Sequence, residues 1–206
     1  MGSKLSPLIC CLDLEGVLTP EVWIKVSEKM KIQALSLTTR DISDYDVLMK
    51  KRLGILREHK IRLVDIQRVI SKIDPLPGAK KFLDVLRQRT QVVIVSDTYY
   101  EFARSLMEKL GQPTLFCNDL IVDDGGFISD YRLRQKNGKE KVVVALKRIG
   151  FEIHAAGDSY NDMAMLKAAH RGVLFNPPNN IIKEFPEFKV TKNYKQLLNE
   201  LLTILR

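Results

Sequence analysis

The sequence predicts an α/β protein, a parallel sheet sandwiched by helices, and three observations predict it. Short, continuously apolar runs alternate along the chain with longer segments of helical period, as buried parallel strands and their crossover helices do. Three of those runs, Ile9 to Leu12, Val93 to Ser96 and His154 to Gly157, lead into an aspartate: Asp13, Asp97 and Asp158. A block without strand signals separates the first run from the second, as an inserted helical unit would.

In chain order, the first strand is Leu8 to Leu14. From Pro20 to Asp74 only helical periodicities follow, over Glu21 to Met30, Val47 to His59 and Leu63 to Ile73. The stiff segment Asp74-Pro75-Leu76-Pro77-Gly78 closes this block. Residues 20–74 are therefore expected to form a small helical cap, and residues 1–19 with 75–206 a Rossmann-like catalytic core. Within the core, helices are expected over Gly78 to Arg89, Tyr99 to Leu110, Lys139 to Ile149, Tyr160 to Ala169 and Tyr194 to Leu205. Gly111 and Gly150 stand where left-handed helix stops belong. The last helix carries an apolar stripe of Leu197, Leu198, Leu201, Leu202 and Leu205. Further strands are expected over Gln91 to Ser96, Thr114 to Cys117, Glu152 to Ala156 and Gly172 to Phe175. Leu120 to Leu133, around Asp123-Asp124-Gly125-Gly126, reads as a β-hairpin flap.

Composition narrows the function. The net charge of +8 is spread over Lys50 to Arg52, Lys80 and Lys81, and Arg132 to Lys141, without interleaved aromatics. This is a basic surface that attracts small anions and not a nucleic-acid face. No apolar stretch approaches the roughly 20 residues that span a bilayer, so no membrane partner is expected. Cys10, Cys11 and Cys117 lack metal-ligand spacing and form no even set, which predicts buried thiols in a reducing, cytoplasmic compartment. Met1 to Ser6 matches only a loose acylation pattern. His59, His154 and His170 belong to no motif and read as structural. The chain is expected to be a monomer or homodimer.

The three strand-end aspartates carry the chemistry. In open parallel sheets the crevice beyond the carboxyl ends of the strands is where ligands bind, so these carboxylates should converge. Converging carboxylates repel one another unless a cation sits among them, and a hard divalent ion such as Mg²⁺, completed by a substrate phosphate, answers that need. A single strand-end aspartate often caps only the following helix; three together do not.

Asp13-Leu14-Glu15-Gly16-Val17, Ser96, Lys139 and Gly157-Asp158-Ser159-Tyr160-Asn161-Asp162, in that order, resemble the four motifs of the haloacid dehalogenase superfamily of aspartyl-phosphate enzymes. The helical insertion after the first motif resembles the phosphoserine phosphatase group. Asp13 to Leu18, Arg40 to Met49 and Ser96 to Phe102 are similar to its bifunctional branch, which both hydrolyses phosphoserine and transfers its phosphoryl group to homoserine. The resemblance implies that Asp13 is the nucleophile, Glu15 the acid/base and Lys139 a catalytic cation. It implies Mg²⁺ bound by Asp13, the backbone carbonyl of Glu15 and Asp158, with Asp162 orienting the site. It implies substrate contacts from Ser96, Asp97, Lys139 and Asn161, with Glu21 for an α-ammonium and Arg52 for an α-carboxylate. Lys136 is the alternative to Lys139.

Two positions depart from the commoner pattern. Glu15 stands where most members carry aspartate, and its added methylene moves the carboxyl group by about 1.5 Å, which suits a roomier acceptor site. Asp97-Thr98 follows Ser96 where ordinary members have glycines. The expected function is hydrolysis of O-phosphoserine, transfer of its phosphoryl group to homoserine, or both. The alternatives are a phosphatase of another small phosphorylated metabolite and a catalytically silent phosphate-binding regulatory module.

Overall fold

The computed structural model describes residues 6–38, 41–42 and 44–203. Its strands are β1 (Leu8–Leu12), β2 (Gln91–Tyr99), β3 (Thr114–Val122), β4 (Ile128–Arg132), β5 (Glu152–Gly157), β6 (Arg171–Phe175) and β7 (Lys189–Thr191). Its α-helices are α1 (Val22–Met30), α2 (Tyr45–Glu58), α3 (Leu63–Ile70), α4 (Ala79–Arg87), α5 (Tyr100–Leu110), α6 (Gly138–Arg148), α7 (Met163–Ala168), α8 (Asn179–Glu184) and α9 (Tyr194–Leu202). Short 3₁₀ turns occupy Gln33–Ser36 and Tyr160–Asp162.

The seven strands make one sheet in the order β4-β3-β2-β1-β5-β6-β7. Every pairing is parallel except the edge pair β3 and β4. The apolar runs are continuous because both faces of the sheet are covered. In β1, Cys10 and Leu12 pack into one apolar cluster while Ile9 and Cys11 pack into the other. In β2, Val92 and Ile94 share the first cluster, and Val93 and Val95 the second. The first cluster continues past Leu14 into the inserted helices, through Val22 and Val26 of α1 to Ile66 and Ile70 of α3.

Strand order reverses at β1, with β2 on one side and β5 on the other. That switch point opens the crevice in which the site lies. The register pairs Leu12 with Ala156, and the Asp13 N–H donates to the Ala156 carbonyl at 2.9 Å. The residues after both strands are thereby fixed side by side.

Several expectations need correction. β2 runs on to Tyr99, so the following helix starts at Tyr100. Thr114 to Cys117 and the first hairpin arm are one strand, β3, which pairs with β2 and then turns at Gly126 (φ 80°) into β4. Asn118 and Asp119 continue β3 without a break: the Asn118 side chain is buried and bonds to the Asp97 carbonyl and the Arg134 N–H, and Asp119 pairs with Arg132 and Arg134. The hairpin tip touches the inserted helices: the Leu63 N–H donates to the Gly126 carbonyl at 2.9 Å. Tyr160 to Ala169 is a 3₁₀ turn followed by α7, and α8 and β7 were not foreseen. Both helix-stopping glycines hold positive φ, 81° at Gly111 and 97° at Gly150. His154 lies in the core, its ring bonded to the Leu201 carbonyl and the Glu152 carboxylate. Leu205 of the apolar stripe, Met1 to Leu5 of the acylation pattern, and Arg40 and Ser43 of the family-like stretch lie outside the described residues.

Candidate active site

Asp13 follows β1 and is 3% exposed. The chain then folds back on itself: the Gly16 N–H donates to Thr19 and the Leu18 and Thr19 N–H groups to Leu14. Gly16 holds φ 83°, and a Cβ there would stand 2.4 Å from the Asp158 carboxyl carbon. Gly157 is constrained in the same way, because its Cβ would stand 2.4 Å from Cβ of Asp162. The two glycines exist to admit two carboxylates.

Asp13, Asp158 and Asp162 bring carboxylate oxygens within 4.8 Å of one another, and all three residues are buried. Lys139, in the first turn of α6 and 4% exposed, points into them. Its ammonium donates to Asp13 Oδ1 at 2.8 Å and to Asp162 Oδ1 at 2.7 Å. The other Asp162 oxygen accepts the backbone N–H groups of Asp158 and Ser159, at 2.9 and 3.1 Å. Asp162 is thus saturated with donors, which suits an orienting group and leaves Asp13 and Asp158 to face an ion. Three carboxylates against one ammonium leave two negative charges, the complement of one divalent cation, and the donors are the hard oxygens that Mg²⁺ takes. The residues present therefore fit that ion.

The electrostatics follow from this imbalance. Burial works against the Lys139 charge, yet Asp13 and Asp162 hold its ammonium well above the usual lysine range. Burial and then Asp162 push the Asp13 carboxyl above the usual carboxylate range, with Lys139 opposing. One ammonium shared by two carboxylates stays charged, while Asp13 resists ionisation until more positive charge arrives.

Glu15 leaves this cluster and turns towards α1. Its Oε2 accepts the Val22 N–H at 2.8 Å, filling an open donor of the helix N-terminus. Burial and the neighbouring Glu21 raise its carboxyl to about 7, against the pull of Val22 and of the Thr98 hydroxyl.

Asp97 is a correction. The pairing register of β2 shifts between Val95 and Tyr99, and Asp97 stays out of the carboxylate cluster, where Asp162 is the third member. Its carboxylate is partly exposed, lies 3.6 Å from the Lys139 ammonium and accepts the Asn161 amide at 3.1 Å. Ser96 is buried at the sheet end, with its Oγ accepting the Thr98 N–H.

Arg52 does not lie on a solvated helix face. It is 5% exposed, its guanidinium lies 4.5 Å over the Trp23 ring, and Nη2 donates to the Leu37 carbonyl at 2.6 Å. Nε is buried without a partner among the described residues. Every predicted site residue except Asp162 lines one cavity of about 270 Å³. Lys136 is exposed and lines a different cavity, so Lys139 is the lysine of this site. Sequence reasoning missed Trp23, Tyr45, Thr98 and Tyr99, which also line it. The lone tryptophan and the Tyr-Tyr pair after Ser96-Asp97-Thr98 were the available signals.

A model of the haloacid dehalogenase-like hydrolase family matches residues 27–167. The chain is 55% identical to phosphoserine phosphatase ThrH of Pseudomonas aeruginosa over 194 residues, covering 94% of this chain and 95% of that one. It is 54% identical to a phosphoserine phosphatase of Pseudomonas syringae pv. tomato, covering 94% of this chain and 82% of the relative. Among solved structures, an apo phosphoserine phosphatase superposes with a TM-score of 0.76 at 23% identity, covering 95% of this chain and 98% of that chain. A phospho-aspartyl intermediate analogue of phosphoserine phosphatase superposes with a TM-score of 0.74 at 23% identity, covering 95% and 99%. At that identity the superpositions speak for the fold alone.

Proposed function

The chain belongs to the haloacid dehalogenase-like hydrolases, and from that premise we propose that it is a Mg²⁺-dependent phosphoryl-transfer enzyme that acts on O-phosphoserine through Asp13. The observation that carries this reading is the single cavity into which a nucleophilic carboxylate, a neutral-range acid, a buried ammonium and a buried guanidinium all open.

Asp13 attacks phosphorus, the bond from phosphorus to the serine oxygen breaks, and Glu15 gives its proton to the departing oxygen. Glu15, now ionised, takes a proton from the acceptor hydroxyl, whose oxygen displaces the phosphoryl group from Asp13. With water the product is inorganic phosphate; with homoserine it is phosphohomoserine. Lys139 and Ser96 hold the equatorial oxygens, and Asp97 and Asn161 border them. Arg52 receives the α-carboxylate, with its plane set by Trp23, and Glu21 receives the α-ammonium. Asp13, Asp158 and the Glu15 carbonyl would hold Mg²⁺, which would supply the positive charge that lets a carboxylate approach a phosphate dianion. Asp162 fixes Lys139 and the turn after β5.

In this reading residues 20–74 act as a cap over a core of 1–19 and 75–206, shutting out bulk water while Asp13 is phosphorylated. No helix among the described residues is long and apolar enough to cross a membrane, and the buried free thiols of Cys10, Cys11 and Cys117 suit a cytoplasmic site of action.

The test is incubation with Mg²⁺ and phosphoserine, with and without homoserine, following inorganic phosphate and phosphohomoserine. Turnover that is lost in Asp13→Asn supports the reading. Absence of phosphoserine turnover in both mixtures removes the substrate assignment.

A further inference from the structure

We propose that Tyr45 decides whether phosphorylated Asp13 yields its phosphoryl group to an alcohol or to water, as a positioning residue in the wall between the substrate cavity and an outer cavity. The inference rests on the phosphoryl-transfer reading above. The outer cavity, of about 780 Å³, opens beside the helix α6 N-terminus and is bordered by polar side chains including Gln135, Lys136 and Asn180. Five residues line both cavities: Tyr45, Asp97, Lys139, Ser159 and Asn161. Lys139 is committed to the carboxylates, and Asn161 accepts from the Ser159 hydroxyl and donates to Asp97. Tyr45 is the member contributed by the inserted helices, at the first residue of α2.

The structure fixes that ring on three sides. The Tyr45 hydroxyl lies 2.7 Å from the Tyr99 hydroxyl and donates to the Asp97 carbonyl at 3.4 Å. Both anchors belong to β2, the strand that carries Ser96, and Tyr99 is 1% exposed with its ring edge-on to Phe102. From the hairpin, the Tyr131 ring stands edge-on to Tyr45 at 5.8 Å, and its hydroxyl donates to Asp46 at 2.7 Å. The first turn of α2 is thereby tied to both β2 and β4, and the wall stands only while these contacts hold.

The chemistry gives the wall its consequence. In the second step the acceptor oxygen forms a bond to phosphorus, the bond from phosphorus to the Asp13 carboxylate breaks, and the acceptor proton passes to Glu15. Water and an alcohol use the same atoms of the protein, so their ratio depends on which hydroxyl stands in line. Tyr45 excludes the smaller competitor while a hydroxy amino acid held by the cap side chains occupies the cavity.

The experiment measures partition: phosphohomoserine against inorganic phosphate, over a range of homoserine, with phosphoserine as donor. The variants are Tyr45→Phe, Tyr99→Phe and Tyr45→Ala, each checked for folding by its thermal transition. Loss of either hydroxyl should lower the transfer-to-hydrolysis ratio by about two- to tenfold, the range a net hydrogen bond is worth. Tyr45→Ala should lower it further. A parallel series uses p-nitrophenyl phosphate as donor, which loads Asp13 without amino acid contacts. Failure with phosphoserine alone therefore counts against the substrate reading and leaves the partition measurable. Ratios equal to the parent protein in Tyr45→Phe and Tyr99→Phe, or a parent that transfers to no alcohol with either donor, overturn the proposal.

Discussion

Replacing Lys139 by methionine tests the charge balance on which the site depends. The change keeps an unbranched side chain of similar shape, one atom shorter, and removes an ammonium from a residue that is 4% exposed and bonded at 2.8 and 2.7 Å to two carboxylates. Removing one partner of a buried ion pair costs about 3 to 5 kcal/mol, because the remaining charge has neither water nor a partner. For a chain of this size each kcal/mol lowers the melting temperature by about 2 to 4 °C, so metal-free Lys139→Met should melt about 6 to 20 °C below the parent. Lys139 already offsets part of the negative charge of the cluster and bonds Asp13, which a divalent cation would also contact, so the variant should gain more from Mg²⁺ than the parent does. Thermal unfolding of both proteins, in chelator and in excess Mg²⁺, measures each shift. Single-turnover cleavage of phosphoserine should fall by about 10² to 10³, the usual loss when one preorganised donor is removed. Equal melting of the two proteins in chelator, or equal shifts on adding Mg²⁺, would refute the argument that Lys139 offsets the charge of this cluster.

Gly16→Ala should weaken Mg²⁺ binding, since its Cβ would meet the Asp158 carboxylate and its φ of 83° costs an alanine about 1 to 2 kcal/mol; a Mg²⁺ titration of thermal stability reads the loss. Glu15→Gln should change the pH dependence of stability in chelator. The Glu15 carboxyl is raised from 4.5 to about 7 in the fold, so its stabilising effect is complete below the unfolded value and is lost as pH rises through about 7. The glutamine variant should therefore be relatively more stable at about pH 8 than at about pH 5, and denaturant unfolding at both checks the sign. Arg52→Lys should raise KM for phosphoserine by about tenfold to a hundredfold with a smaller change in kcat, because a point charge replaces a stacked fork that makes charge-assisted bonds. An unchanged KM would move the α-carboxylate elsewhere.

The parts of the site that were legible in the sequence are those fixed by local pattern. Asp13 and Asp158 follow apolar runs, and any parallel sheet with β1 and β5 adjacent brings them together. Lys139 was separable from Lys136 because it opens a helix, and the first turn of α6 does aim it inward. What escaped depended on tertiary detail. Nothing local to Val95-Ser96-Asp97-Thr98-Tyr99 announces the register shift that takes Asp97 out of the carboxylate cluster. Strand β7 is three residues long with Val190 as its one apolar residue, too short for a period to register. The burial of Arg52 left a trace that could have been used. Leu48, Met49, Arg52, Leu53 and Leu56 share the inward face of α2, so the arginine interrupts an apolar stripe and does not sit on the polar face.

The glutamate at position 15 explains why the chemistry and the inserted helices cannot be separated. A carboxylate one methylene shorter would fall short of the Val22 N–H, and Glu15 spans that gap with a 2.8 Å bond to the first residue of α1. That bond favours the ionised form, burial and Glu21 favour the neutral one, and the opposition leaves the group near 7. A two-step transfer needs a proton given in the first half and taken back in the second, which a carboxyl at its usual acidity does poorly in neutral solution. The helix that carries Trp23, under the Arg52 guanidinium, is thus the helix whose N-terminus tunes the acid. On the proposed reaction, movement of α1 would alter substrate grip and proton affinity together, which ties the inserted segment to the chemistry through Glu15 and Arg52.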